Sequence, residues 1–91
     1  MAAIHGFVSG QVQGVGFRWF VLHRARALGV AGWVRNTRDG RVEFYAQGDP
    51  EAVERFVETV GVGPPAAKVA GLVSSAVDVD PTLRGFEIRA S

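Results

Sequence analysis

Residues 10–18 read Gly10-Gln11-Val12-Gln13-Gly14-Val15-Gly16-Phe17-Arg18, three glycines crowded into a short loop that ends in an arginine. How this stretch is read decides how the chain around it is organised. Before it, Ile4 to Gly10 alternates, with Ile4 and Val8 on one face and His5, Phe7 and Ser9 on the other, which predicts a half-buried strand. After it, Phe17, Val21, Ala25 and Leu28 form one helical stripe, and Gly29 suits the position just past a helix end. A strand therefore runs through a glycine loop directly into a helix. Glycines reach positive φ and leave their N–H groups uncovered, and successive bare N–H groups make a concave anion site. The helix start adds its own unpaired N–H groups and the positive end of its dipole. Arg18 adds a planar fork of donors matched to phosphate.

The same ingredients also serve without a ligand, because glycine turns join strands to helices in many folds and an arginine in a first helical turn is commonly just solvated. On chemistry alone both readings stay open. Other phosphate loops are excluded. A nucleotide-binding P-loop needs Lys and Ser/Thr after its last glycine, where this chain has Phe17 and Arg18, and a dinucleotide fingerprint needs glycine at position 19, which is Trp19. A cysteine phosphatase loop would place its nucleophile at Val12, and the chain has no cysteine.

Working outward, two strands are predicted near Val30–Thr37 and Arg41–Gln47, joined by the hairpin signal Asp39-Gly40. A second helix opens with Asp49 as cap, Pro50 in its first position and Glu51 against the dipole, and Gly61 is expected to close it. Its apolar face is Val53, Phe56, Val57 and Val60. Gly63-Pro64-Pro65 is a turn, a strand follows over Lys68–Val77, Asp80-Pro81 breaks it, and Gly85–Ala90 is a last short strand. The order is that of a ferredoxin-like split β-α-β sandwich (βαββαβ plus a short C-terminal strand), an α+β fold with two helices on one face of an antiparallel sheet.

Ninety-one residues, 47% of them hydrophobic, suffice for one core, so residues 1–91 are expected to form one domain. A net charge of +1 is too small to point to nucleic acid or a membrane surface. Neither a secretory leader nor a membrane-spanning stretch is present in the pattern, and a cytoplasmic monomer is expected.

Two motifs together carry a specific resemblance. Val12-Gln13-Gly14-Val15-Gly16-Phe17-Arg18 is one, and Gly32-Trp33-Val34-Arg35-Asn36-Thr37 followed by Asp39-Gly40-Arg41-Val42-Glu43 is the other. Gly63-Pro64-Pro65-Ala66-Ala67-Lys68-Val69 and Gly85-Phe86-Glu87-Ile88-Arg89 add weaker echoes in the same order. In these segments the chain resembles the acylphosphatase family. The resemblance implies hydrolysis of acyl phosphates to a carboxylate and inorganic phosphate, by direct in-line attack of water, without a metal or other cofactor. It implies phosphate binding by Gln13, Gly14, Val15, Gly16, Phe17 and Arg18, and catalysis by Arg18 and Asn36. Inorganic phosphate, the product, is expected to bind and inhibit.

From position alone, Asn36 would be a turn asparagine bonding its own backbone; the resemblance makes it the residue that orients the attacking water. The same fold and loop also occur as an appended domain of larger maturation proteins, so a non-catalytic anion-binding module is the alternative. Other candidates carry less. His5 and His23 have no evident carboxylate partner and make a poor zinc site. Asp78-Val79-Asp80 reads as a solvated loop. His5, Phe7 and Tyr45 could share the sheet face away from the helices, as base-stacking aromatics do, but Glu43 and Gln47 on that face argue against RNA. The stretch Val73 to Leu83 matches no motif.

Overall fold

The computed structural model describes residues 1–90. The elements are β1 (Ala2–Gln11), α1 (Phe17–Leu28), β2 (Ala31–Asn36), β3 (Val42–Gly48), α2 (Pro50–Val62), β4 (Lys68–Ala76) and β5 (Phe86–Ile88). The expected α+β ferredoxin-like arrangement is present.

Three of the four helix ends fall at the residues that the sequence marks. At the C-terminus of α1, Gly29 takes φ 72°. Its N–H reaches the Arg26 carbonyl at 3.2 Å, and the Val30 N–H reaches that of Ala25 at 3.1 Å. This paired closure satisfies two terminal carbonyls and turns Val30 into the core. At the start of α2, the Asp49 carboxylate accepts the Glu51 N–H at 3.0 Å, with Pro50 behind it. The C-terminus of α2 differs from expectation. Gly61 remains helical, and the helix closes at Gly63, where φ is 74°. The cause is packing, because a Cβ on Gly63 would stand 2.8 Å from the Phe17 ring. The chain turns there, at the closest approach of the two helices' ends.

The strand order is β4-β1-β3-β2-β5. β4, β1, β3 and β2 pair antiparallel, as expected. β5 does not: it runs parallel to β2, with Gly32 opposite Phe86 and Val34 opposite Ile88. The sheet is therefore mixed. After β4, at one edge, the chain must cross the whole sheet to reach β2, and it arrives running in the same direction. That crossing explains the stretch that carried no motif. Residues 78–80 lie over β3 on the face away from the helices. Tyr45 Oη donates to the Asp78 carbonyl at 2.9 Å. The Asp80 N–H donates to Tyr45 Oη at 3.0 Å and to Gln47 Oε1 at 2.8 Å. Gln47 Nε2 donates back to the Asp80 carbonyl at 2.9 Å. All seven residues of β3 are buried, and Tyr45 lies beneath the crossing chain, where no base could stack on it. Asp78-Val79-Asp80 is thus a strap held by its backbone, not a free loop.

On the helical face, Val8, Val34, Val42 and Phe44 meet Phe17, Val21, Ala25, Val53, Phe56 and Val60 in one core cluster. Leu22, outside the expected stripe of α1, is also buried, while Leu28 is only half-buried. Among the described residues, no helix is long and apolar enough to cross a membrane.

On the opposite face His5 does have a carboxylate partner. Its Nε2 lies 2.6 Å from Glu43 Oε2, and Arg35 Nε donates to Glu43 Oε1 at 2.6 Å. Burial pushes the Glu43 carboxyl up, but the hydrogen bonds from His5 and Arg35 outweigh it and hold the group below its ordinary value. A carboxyl depressed in the folded state contributes stability that is complete above its unfolded pKa and is lost as pH falls through the folded one. The thermal midpoint should therefore fall as pH drops through and below the usual carboxylate range. Glu43→Gln should lower the midpoint at neutral pH and flatten the acid limb. An acid limb equally steep in the variant would show that other carboxylates set it.

Candidate active site

The glycine loop leaves β1 after an irregularity in its pairing with β4 between Ser9 and Gly10. Val12 and Phe17, 1% and 2% exposed, pin the two ends of the loop into the core. Between them Gly14 and Gly16 take φ 74° and 76°, conformations costly to residues with a Cβ. A Cβ built on either glycine meets nothing within 4 Å. These glycines are thus required by backbone conformation, and the space in front of them is open to a ligand.

Gly16 also serves as the N-cap of α1, without a side-chain cap. Its carbonyl accepts the Phe20 N–H at 3.1 Å, so the N–H groups just before Phe20 have no place in the helical ladder. Among the described residues, none of the N–H groups from Gln13 through Arg18 donates to a backbone carbonyl. Phe17 brings only its N–H, because its ring belongs to the core. Arg18 follows at the helix start, half-buried. Four other arginines, Arg35, Arg41, Arg55 and Arg89, are engaged in ion pairs, and Arg18 is not among them.

Gln13 has a role that sequence reasoning missed. Its side-chain amide donates to the carbonyls of Thr37 and Arg41, at 2.8 and 2.9 Å. One side chain thus fastens the loop to the hairpin between β2 and β3. No local signal could have revealed it, since the partners lie 24 and 28 residues away. The hairpin is itself cross-braced. The Thr37 N–H donates to the Arg41 carbonyl at 2.9 Å, the Arg41 N–H donates to Thr37 Oγ1 at 3.1 Å, and Thr37 Oγ1 also donates to Asp39. That hydroxyl, ahead of the Arg41 contacts, holds the Asp39 carboxyl below its ordinary value.

Asn36 is the last residue of β2, not a turn residue. It pairs with Val42, which pairs with Val8 on its other side. Asn36 therefore sits at the end of the sheet where β1 runs into the loop, next to the Thr37 carbonyl that Gln13 holds. Asn36 Oδ1 is buried and has no hydrogen-bond partner. Within the protein this acceptor is left unsatisfied, an arrangement that costs about 1–3 kcal/mol unless a ligand or water meets it. Among the described residues no group of three or more His, Asp or Glu side chains is placed to hold a metal ion. Trp19, beside the loop, is 62% exposed and stacks on His23 with ring centroids 6.2 Å apart.

Comparison with known proteins points to one family. Residues 4–88 match the acylphosphatase family model. An acylphosphatase of Bifidobacterium longum is 49% identical over 86 residues, covering 93% of this chain and 89% of that one. The crystal structure of acylphosphatase from Bacillus subtilis superposes with a TM-score of 0.93 at 40% identity, covering 98% of this chain and 99% of that one. T. kodakarensis HypF superposes with a TM-score of 0.87 at 33% identity, but this chain covers 12% of it.

If the Gln13 amide holds loop and hairpin in register, Gln13→Ala should weaken inorganic phosphate binding although no backbone donor is removed. It should also cost about 1–2 kcal/mol of stability, because two carbonyls lose a shared donor. Calorimetric titration with phosphate and a thermal melt on one preparation read both effects. Unchanged phosphate affinity would reduce Gln13 to a structural brace.

Proposed function

The chain belongs to the acylphosphatase family, and on that premise we propose that its glycine loop holds the phosphoryl group of an acyl phosphate while Asn36 holds the attacking water. The family reaction is hydrolysis of the anhydride between a carboxylic acid and phosphoric acid. Water oxygen bonds to phosphorus, the bond from phosphorus to the acyl oxygen breaks, and the carboxylate leaves with the electron pair. The proton lost by water ends on inorganic phosphate or in solvent.

The chemistry asks little of the protein beyond placement. A carboxylate leaving group is a weak base at neutral pH, so no strong general acid is needed. A loose phosphoryl-transfer transition state makes slight demand on a general base. Positioning and charge stabilisation remain. The N–H groups of Gln13, Gly14, Val15, Gly16, Phe17 and Arg18 would bind the phosphoryl oxygens, and the Arg18 guanidinium would bridge two of them. No step calls for a metal, because the phosphoryl charge is met by these donors. Inorganic phosphate fits the same donors, hence product inhibition.

The single observation that carries this reading is the orphaned Asn36 Oδ1. An acceptor there can take a hydrogen from a water and leave its lone pair free to attack. A module that only bound anions would need the loop and Arg18 but not a buried, unpartnered acceptor beside them. We place the activity in a monomer in the cytoplasm; a sequence free of cysteine is compatible with a reducing compartment.

Arg18→Ala should nearly abolish both turnover and phosphate binding, a loss on the order of 3 kcal/mol or more for one preorganised donor group. Lysine at this position should rescue poorly, because it cannot make the two-point contact. Wild-type phosphate affinity in Arg18→Ala would remove the loop from the mechanism. Asn36→Ala should behave differently: kcat lower by about 10²-fold or more, phosphate Kd little changed, and thermal midpoint unchanged or raised because a buried orphan acceptor is gone. Steady-state kinetics, phosphate titration and a melt read the three together. A parallel loss of phosphate affinity and kcat would instead make Asn36 part of the phosphate cradle.

A further inference from the structure

Arg18 belongs to two places at once. It closes the glycine loop, and it also forms one end of an open groove of about 540 Å³ lined by Arg18, Trp19, Leu22, Arg26, Glu87 and Ile88. The groove runs along the seam between α1 and β5. Arg18, Leu22 and Arg26 follow one another at four-residue intervals, so they share one face of α1 in the order cation, apolar, cation. Leu22, 5% exposed, is the floor. Ile88, half-buried, forms the facing wall, and the broad exposed surface of Trp19 stands at the loop end. Of the charged groups here, Glu87 is engaged by Arg89 at 3.0 Å, whereas Arg18 and Arg26 are not among the arginines in ion pairs. Arg26 also borders a second depression together with Arg84, another arginine outside those pairs. The seam is therefore apolar at its centre and positive at both ends.

Resting on the phosphoryl-binding reading above, we propose that this groove is an acyl subsite that selects acyl phosphates whose acyl chain ends in a second anion, such as a carboxylate. The phosphoryl group occupies the loop, the methylene chain lies over Leu22 and Ile88, and Arg26 receives the distal carboxylate. Arg18 and Arg26 are eight residues apart, about 12 Å of helix rise, and the Arg26 side chain, leaning toward the helix N-terminus, brings its guanidinium within the span of a medium-length dicarboxylic chain whose phosphoryl end lies in the loop. Arg26 also lies in the last turn of α1, where a cation is favoured by the helix dipole. That role accounts for a positive charge at the helix end but not for its alignment with Arg18 across an apolar floor.

The test compares three synthetic substrates: acetyl phosphate, hexanoyl phosphate and adipoyl monophosphate. The last two have the same chain length and differ in the terminal carboxylate. The wild-type enzyme should show kcat/KM higher for adipoyl monophosphate than for hexanoyl phosphate by about fivefold or more, the scale of one charge-assisted contact at a partly exposed site, and the advantage should shrink with added salt. Arg26→Gln should bring that ratio to near unity, and Arg26→Glu should invert it, while the ratio of hexanoyl to acetyl phosphate stays as in wild type. A role confined to the helix end would shift the thermal midpoint without moving the adipoyl-to-hexanoyl ratio, and that outcome overturns the proposal. So does a wild-type enzyme indifferent to the terminal carboxylate. Failure of the phosphoryl-binding reading looks different, because then acetyl phosphate itself is not hydrolysed and both readings fall.

Discussion

The structure depends on one constraint: a row of backbone N–H groups, from Gln13 to Arg18, must be held together without partners of their own. Left to itself, such a segment would collapse onto any available carbonyl, since unpaired amides are costly when shielded from water. Three features prevent this. Val12 and Phe17 anchor both ends of the loop in the core. Gly14 and Gly16 take positive φ, a conformation that keeps the loop in its turn and that residues with a Cβ resist. The Gln13 side chain holds the loop against the hairpin between β2, which ends at Asn36, and β3.

The sheet beneath explains why the loop and Asn36 coincide. β3 is buried on both faces, by the helices on one side and the strap of residues 78–80 on the other, and it pairs with both β1 and β2. Val42 of β3 lies between Val8 and Asn36. The exit of β1 and the end of β2 therefore meet at one end of the sheet through a strand with little freedom to shift. The Glu43 carboxylate, gripped by His5 and Arg35, adds a charged cross-link between the same three strands. A one-residue slip of β3 would move Val42, Phe44 and Ala46 off the helical face and unmake this link, so register and site geometry are protected by the same contacts.

The arginines divide by what they touch. Arg35, Arg41 and Arg89 are held by carboxylates, and the last two also lie over aromatic rings, Arg41 over Phe7 at 4.1 Å and Arg89 over Trp33 at 5.0 Å. Arg18 and Arg26 lie on the other side of the molecule, along α1, outside those pairs. A guanidinium paired with a carboxylate has spent its donors on the fold, and one without such a partner can turn them to an anionic ligand. Composition alone, with a net charge of +1, hides this separation.

Much of this was legible in the chain itself because it is local. The bounds of α1, the cap of α2, the hairpin at Asp39-Gly40 and the need for glycine at 14 and 16 follow from short-range sterics and hydrogen bonding within a few residues. The likeness to a known family could be read from the order of residues 12–18 and 32–43, whereas the chemistry of the loop alone left an anion site and a plain turn both open. What required the tertiary structure is long-range. The parallel β5, the strap over Tyr45, the His5–Glu43 contact, the Gln13 staple and the extension of α2 past Gly61 all join residues distant in sequence, where neither propensity nor periodicity has any reach. The same holds for Asn36. Its place at the end of β2 and the burial of its Oδ1 without a partner in the protein lay beyond the sequence, because whether a polar atom is satisfied depends on every segment packed around it.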